Sequence, residues 1–202
     1  MSDNSPYTIA IVGGIGAGKS IVSRILSTMG YAVYDSDSRA KHLMDKSVDI
    51  RKKLCETFGP QIMNNGYIDR KRLSEIVFSD PAQLSALNGI VHGEVIADFI
   101  RWRENSCKKP VFIETAILYE SGLDKFMDEV WEVTAPKPLR IARVMRRNNM
   151  SREDVCRRIS SQAFIPETPH PYTHVIVNDD IEPVLPQVLR LLAATVGEKV
   201  GL

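Results

Sequence analysis

One stretch limits the possible folds more than any other: "IAIVGGIGAGKSIV", residues 9–22. Ile9 to Val12 is a short, continuous apolar run of the kind buried on both faces in a parallel sheet. It breaks into glycines and resumes as an amphipathic helix pattern, with Ile21, Val22, Ile25, Leu26 and Met29 on one stripe. From Gly13 to Ser20 the spacing is G-x-x-x-x-G-K-S, that of a phosphate-binding loop. Gly13, Gly14, Gly16 and Gly18 are expected at positive φ, where the backbone can approach a ligand closely. Successive N–H groups then face one concavity at a helix N-terminus, where the helix dipole also favours anions. Lys19 is placed to reach β- and γ-phosphates, and the Ser20 hydroxyl to sit on Mg²⁺. A glycine-rich turn with a chance Gly-Lys-Ser would not need the strand before it and the helix after it. The stretch predicts a nucleoside triphosphate site and leaves the phosphate acceptor open.

The rest of the chain alternates strands with helices. "YAVYD" reads as a second buried strand ending at Asp35, "VFIETAIL" as a third, "EVWEVTA" as a fourth and "THVIVND" as a fifth, before a terminal helix. This order predicts an α/β fold with a doubly wound, parallel five-stranded sheet. Two blocks interrupt it, a helical one over 47–109 and a basic one over 137–171, leaving 1–46, 110–136 and 172–202 as the core. Such interruptions leave the strand ends beside the ligand crevice. In the helical block, "GPQIMNNGYIDR" reads as a turn or short hairpin. Asp80-Pro81 caps a long helix carrying Leu84, Leu87, Ile90, Val91, Val95, Ile96 and Phe99 at helical intervals. Gly89 and Gly93 inside it cost about 1 kcal/mol each. The basic block reads as two helices divided at Asn148–Met150, the second opened by Ser151 in a capping box closed by Asp154 or Glu153.

Composition excludes several classes. A net charge of +1 over 202 residues gives no global pull toward nucleic acid or membrane. No apolar run approaches the ~20 residues that span a bilayer, and "MSDNSPYT" lacks the pattern of a signal peptide. Cys55, Cys107 and Cys156 are an odd number at scattered spacings, as expected of reduced thiols in a cytoplasmic protein. His170 and His174 have metal-like spacing, but a structural zinc needs four ligands and no cysteine accompanies them.

Candidates for the second substrate follow the second strand. Asp35 and Asp37 in "YDSDSRAK" lie on the edge of the sheet that carries the phosphate loop. A carboxylate there can take a proton from an attacking hydroxyl or hold Mg²⁺ through water; equally, Asp and Ser are favoured as helix caps. Continued strand alternation would turn both side chains to one side, whereas a helix starting at Ser36 would separate them. Between Arg140 and Arg158 there are seven arginines and no lysine, with Arg140, Arg143 and Arg147 on one helix face. That face suits a lid stabilising a transferring phosphoryl group, a solvated surface, or a nucleic-acid contact. Glu114 is either a Mg²⁺ carboxylate or a strand residue bonded to backbone, and His92 either a core or a surface histidine.

Taken in order, these segments resemble the dephospho-CoA kinase family. The resemblance rests on "GGIGAGKS", "DSD", "FG" followed by "NNGYIDRKRLSEIVF", "LNGIVH", "ILYE", the R-x-x-R-x-x-x-R of Arg140, Arg143 and Arg147, Gln162, and "VIVN" ending in Asn178. It implies a P-loop, nucleoside-monophosphate-kinase-like core, a helical domain over 47–109 for dephospho-CoA and a lid over 137–171. The implied reaction moves the ATP γ-phosphate to the ribose 3′-hydroxyl of dephospho-CoA. The resemblance further implies Asp37 as base, with Lys19 and Arg140 as catalytic cations. ATP binding would fall to Gly14, Ile15, Gly16, Ala17, Gly18, Lys19, Ser20, Ile21, Arg143 and Asn178, the last near adenine. Acceptor contacts would come from Asp37, His92, Leu118 and Glu120, and Mg²⁺ would be held by Ser20 with Asp35. The implied protein is cytoplasmic, a monomer or weak homo-oligomer, with no nucleic-acid or membrane partner. Ile21, Gly93 and Ala116 depart from the family's usual threonine, proline and first residue of "PLL", and His174 stands for an acidic residue. The alternatives are another P-loop small-molecule or nucleoside monophosphate kinase, a nucleotide switch (although N-K-x-D and D-x-x-G are absent), and a nucleic-acid-dependent ATPase.

Overall fold

The computed structural model describes residues 6–77, 80–107, 110–161 and 169–198. The chain divides into two compact units, one of Met1–Asp35 with Arg103–Leu202, the other of Ser36–Trp102.

The first unit is built on a five-stranded parallel sheet. Its strands are β1 (Thr8–Val12), β2 (Ala32–Asp35), β5 (Val111–Glu114), β6 (Glu129–Thr134) and β7 (Thr173–Val177), and the order is β2-β5-β1-β6-β7. β1 is central because it is covered on both faces: Ile9, Ala10 and Ile11 are all fully buried. Helices α1 (Lys19–Thr28) and α8 (Val184–Glu198) supply Val22, Leu26, Val188 and Leu192 to a core shared with Ile9, Ile11, Phe112 and Trp131. Phe112 and Trp131 meet with ring centroids 5.3 Å apart. The expectation that β2 is a buried strand holds for Tyr34 and is corrected for Ala32 and Val33, which are half-buried because β2 lies at the sheet edge with a strand neighbour on one side only. From β1 the chain moves toward β2, and from β5 it crosses to β6 on the other side, so the direction of winding reverses at neighbouring strands. A ligand crevice opens at the carboxyl ends of strands so arranged.

The basic block forms α6 (Lys137–Asn148) and α7 (Arg152–Ser161) in the same unit. Asn149, at φ 51, makes the left-handed break between them. Ser151 opens α7 and accepts a hydrogen bond from the Asp154 N–H at 3.1 Å, which settles the capping box on Asp154. The Ser151 hydroxyl also donates to the Asp154 carboxylate, and this bond and then Arg157 hold that carboxyl below its ordinary range.

The second unit consists of helices around an apolar core of Ile50, Leu54, Phe58, Ile62, Leu73 and Val77. They are α2 (Ser36–Lys46), α3 (Val48–Phe58), α4 (Arg70–Val77) and most of α5 (Pro81–Glu104). The expected hairpin is β3 (Met63–Asn64) with β4 (Tyr67–Ile68), turned by Asn65 and Gly66 at φ 50 and 81. Asp80 caps α5 by accepting from the Ala82 N–H at 2.8 Å. Asp98, 9% exposed, takes a two-pronged ion pair from Arg39 and ties α5 to α2. Among the described residues no helix is long and apolar enough to cross a membrane.

A Cβ added at Gly89 meets nothing within 4 Å among the described residues. The helix there forgoes side-chain and backbone-entropy benefit without a packing reason. Gly89→Ala is expected to raise stability by roughly 0.5–1 kcal/mol, read as a higher midpoint in urea unfolding at an unchanged slope.

Candidate active site

The phosphate loop runs from Gly13 at the end of β1 into Lys19 at the start of α1. Its six carbonyls from Gly13 to Gly18 each receive a donor. The Lys19 ammonium donates to Gly13 O at 2.8 Å, and Arg140 Nε to Ile15 O at 2.9 Å. Arg143 donates to Gly16 O at 3.4 Å, and the Asn178 amide to Ala17 O at 2.8 Å. The Ala17 and Ile21 N–H groups take Gly14 O and Gly18 O at 3.1 and 2.9 Å. In a trans peptide the following N–H points opposite to the carbonyl. A carbonyl held by a donor on one side therefore leaves the next N–H directed to the other, the arrangement by which a loop of this kind binds anions.

Gly13, Gly16 and Gly18 take φ of 143, 79 and 102, as the glycine-rich pattern predicts. Gly14 is corrected, since it is not at positive φ. A Cβ built there instead falls inside the Arg140 guanidinium of α6, which would have to move. Burial of that guanidinium lowers the Arg140 pKa, and the group stays charged because arginine does not deprotonate in proteins.

Helix α6 sets these arginines by its periodicity. Ile141 and Val144 are buried with Val155 and Ile159 of α7, and Ile15 of the loop packs on the same cluster. Arg140 and Arg143, one turn apart, thereby reach the loop. The third member of the expected face does not share this placement: Arg147 is exposed and donates to Asn148 at 3.0 Å. Gln162 lies outside the described residues. Asn178, 5% exposed, follows β7, and its N–H bonds Thr134 O at 2.8 Å. Its side-chain oxygen accepts from Arg143 at 3.3 Å, so Asn178 joins the loop, α6 and the end of β7.

Asp180 was not predicted. Its carboxylate lies 2.5 Å from Arg143, and the residue adopts φ 66. The sequence signal was "NDD" directly after a strand, because Asp and Asn tolerate left-handed turns.

The carboxylates divide between the two units. Asp35 ends β2 and stands in register with Glu114 at the end of β5, which is in register with Ile11 of β1. Both acids thus occupy the carboxyl edge of the sheet, where the loop begins. A helix does start at Ser36, so strand alternation does not carry on to Asp37, an exposed residue in the first turn of α2. His92 lies half-buried in α5. Leu118 is 2% exposed in the turn after β5, and Glu120 on the same turn is exposed. Tyr119 between them accepts a hydrogen bond from the His170 N–H at 3.2 Å. The His170 Nδ1 accepts from the Tyr172 N–H, which leaves Nε2 to donate to Met127 O at 3.1 Å. His174 lies within β7, with Nε2 3.8 Å from Glu129.

The sequence profile of the dephospho-CoA kinase family matches residues 7–182. The chain belongs to that family. It is 41% identical over 186 residues to a dephospho-CoA kinase of Porphyromonas gingivalis, covering 92% of each chain. A crystal structure of a Thermus thermophilus protein is 34% identical, with a TM-score of 0.78 over 98% of this chain and 100% of that one. A dephospho-CoA kinase of Campylobacter jejuni, 24% identical, shares the fold at a TM-score of 0.63 over 94% and 96% of the two chains. Family membership makes the chain a P-loop kinase with the expected α/β parallel sheet, and disfavours the reading as a different small-molecule kinase.

Gly14→Ala is expected to displace Arg140 and lower kcat/KM on the order of ten- to a hundredfold, the scale of losing one preorganised charge. Arg140→Ala should cost about as much, and the double variant little more than either, because both remove one contact. Steady-state ADP release from the four proteins checks this.

Proposed function

We propose that this chain is a dephospho-CoA kinase, transferring the γ-phosphate of ATP to the ribose 3′-hydroxyl of dephospho-CoA. The observation that carries the reading is the family match over residues 7–182, joined to a phosphate loop that two lid arginines contact. We assign the sheet unit to ATP, 47–109 to the acceptor and 137–171 to the lid, in a cytoplasmic enzyme.

Phosphoryl transfer asks the protein for positioning and charge neutralisation more than covalent help. In this proposal the loop N–H groups between Gly14 and Ser20 other than that of Ala17, which like that of Ile21 bonds a loop carbonyl, cradle the phosphates. Lys19 neutralises the β- and γ-oxygens, and Arg140 adds charge at the transferring group. Arg143 and Asn178 bound the nucleotide on the β7 side, with Asn178 toward adenine. Asp37 orients the acceptor hydroxyl and takes its proton late, and His92, Leu118 and Glu120 contact the rest of the acceptor. The Ser20 hydroxyl and the Asp35 carboxylate are hard oxygen donors that fit Mg²⁺, which commonly joins one or two protein oxygens to substrate phosphates. When bound, the ion supplies charge neutralisation between phosphate oxygens. Glu114, in register with Asp35, is the second carboxylate able to support it.

The deciding experiment is mass-spectrometric product analysis with Mg·ATP and dephospho-CoA, beside tubes holding AMP, CMP, pantetheine or no acceptor. Stoichiometric ADP and coenzyme A in the first tube alone is the expected result. Transfer to a monophosphate, or equal ADP without acceptor, overturns the assignment.

Lys19→Ala and Asp37→Asn should each lower kcat by on the order of 10²–10⁴. Asp37→Asn should leave ATP affinity within a few-fold of wild type; near-normal kcat would remove Asp37 from the base role.

A further inference from the structure

The Arg143 guanidinium makes two long hydrogen bonds and one short one. Its bonds to Gly16 O and the Asn178 side-chain oxygen measure 3.4 and 3.3 Å, near the limit at which such bonds hold a group in place. Its contact with the Asp180 carboxylate measures 2.5 Å and joins opposite charges. The guanidinium side of the pair is largely withdrawn from solvent, at 18% side-chain exposure, whereas the Asp180 side chain is 65% exposed. The short ionic contact therefore sets where the guanidinium lies, and the contacts to the loop follow from it.

Asp180 is itself held. Asp179 accepts from the Ile181 and Glu182 N–H groups at 2.9 and 2.8 Å, closing a tight turn immediately after Asn178. Those two bonds lower the Asp179 pKa. Within the turn Asp180 takes φ 66, a conformation that Asp and Asn adopt more readily than other side chains. The turn thus presents a carboxylate from a fixed backbone to an arginine on α6.

We propose that Asp180 is a positioning residue for nucleotide binding: its carboxylate holds the Arg143 guanidinium on Gly16 and Asn178. This deepens the proposed kinase reading, on which it rests for the role of Arg143 toward ATP. Without the carboxylate, Arg143 keeps only its two long contacts. The order it loses must then be restored by ATP at the expense of affinity.

Asp180→Asn is the informative variant, because asparagine keeps the size and the left-handed preference and removes only the charge. Titration with a Mg²⁺-bound, non-hydrolysable ATP analogue should give a Kd about two- to fivefold higher than wild type, the range of a partly exposed ion pair. Steady-state kinetics should place the loss chiefly in KM for ATP, with a smaller change in kcat; a general structural defect would lower kcat and thermal stability instead. In an Arg143→Ala background, Asp180→Asn should have no further effect. An unchanged Kd, or an equal loss with Arg143 absent, overturns the proposal. So does tighter binding, which would make Asp180 a competitor of the nucleotide for Arg143. Binding of the analogue is read without an acceptor. If wild type forms no coenzyme A, the kinase assignment fails while the Kd ratio still decides the role of Asp180.

Discussion

A phosphate loop can turn its N–H groups inward only if its carbonyls are satisfied outward, and the rest of the sheet unit is organised around that requirement. Six carbonyls in succession find donors, four of them on side chains drawn from α1, α6 and the end of β7. Leaving even one such carbonyl buried and unpaired costs about 1–3 kcal/mol. The donors are therefore part of the loop's fold as well as of its chemistry. Three of them, Lys19, Arg140 and Arg143, are cations, so the same side chains that shape the loop also make its surroundings attractive to a polyphosphate.

Helix α6 has a double task as a result. Its apolar residues Ile141 and Val144 join α7 and Ile15 of the loop in one cluster, while the residues just before them, Arg140 and Arg143, reach the loop carbonyls. The 3.6-residue repeat allows both, because Arg140 and Arg143 share a face one turn apart. Burial makes the arrangement expensive for a charge, which is why arginine suits it: a lysine in the place of Arg140 would shed its proton more readily and lacks the planar fork.

Much of this was legible in the sequence. The apolar run, the glycine spacing and the alternation of elements were enough to predict a parallel five-stranded sheet and the loop at the head of α1, because burial on both faces and positive φ leave marks in residue type. The Asn-Gly turn, the Asp80 cap and a capping box opened by Ser151 were legible for the same local reason, although only the structure chose Asp154 over Glu153. The edge position of β2 was not legible, because strand order is a matter of which segments pair across long sequence distances. Nor was the close approach at Gly14, which depends on a guanidinium from residue 140.

By itself, then, the sequence determined the class of fold, the nature of the nucleotide loop, the cations available to it and, through ordered motifs, the family. Those properties reside in periodicity, backbone permissiveness and short spacings, all of which are local. Tertiary structure decided which arginines serve the loop, that Arg147 does not, that Asn178 braces Ala17, and that Asp180 pairs with Arg143. These contacts join residues 35 or more positions apart, apart from the Arg147 bond to its chain neighbour. No local pattern encodes such pairings, because they exist only after the sheet has brought β1, α6 and the end of β7 to one edge.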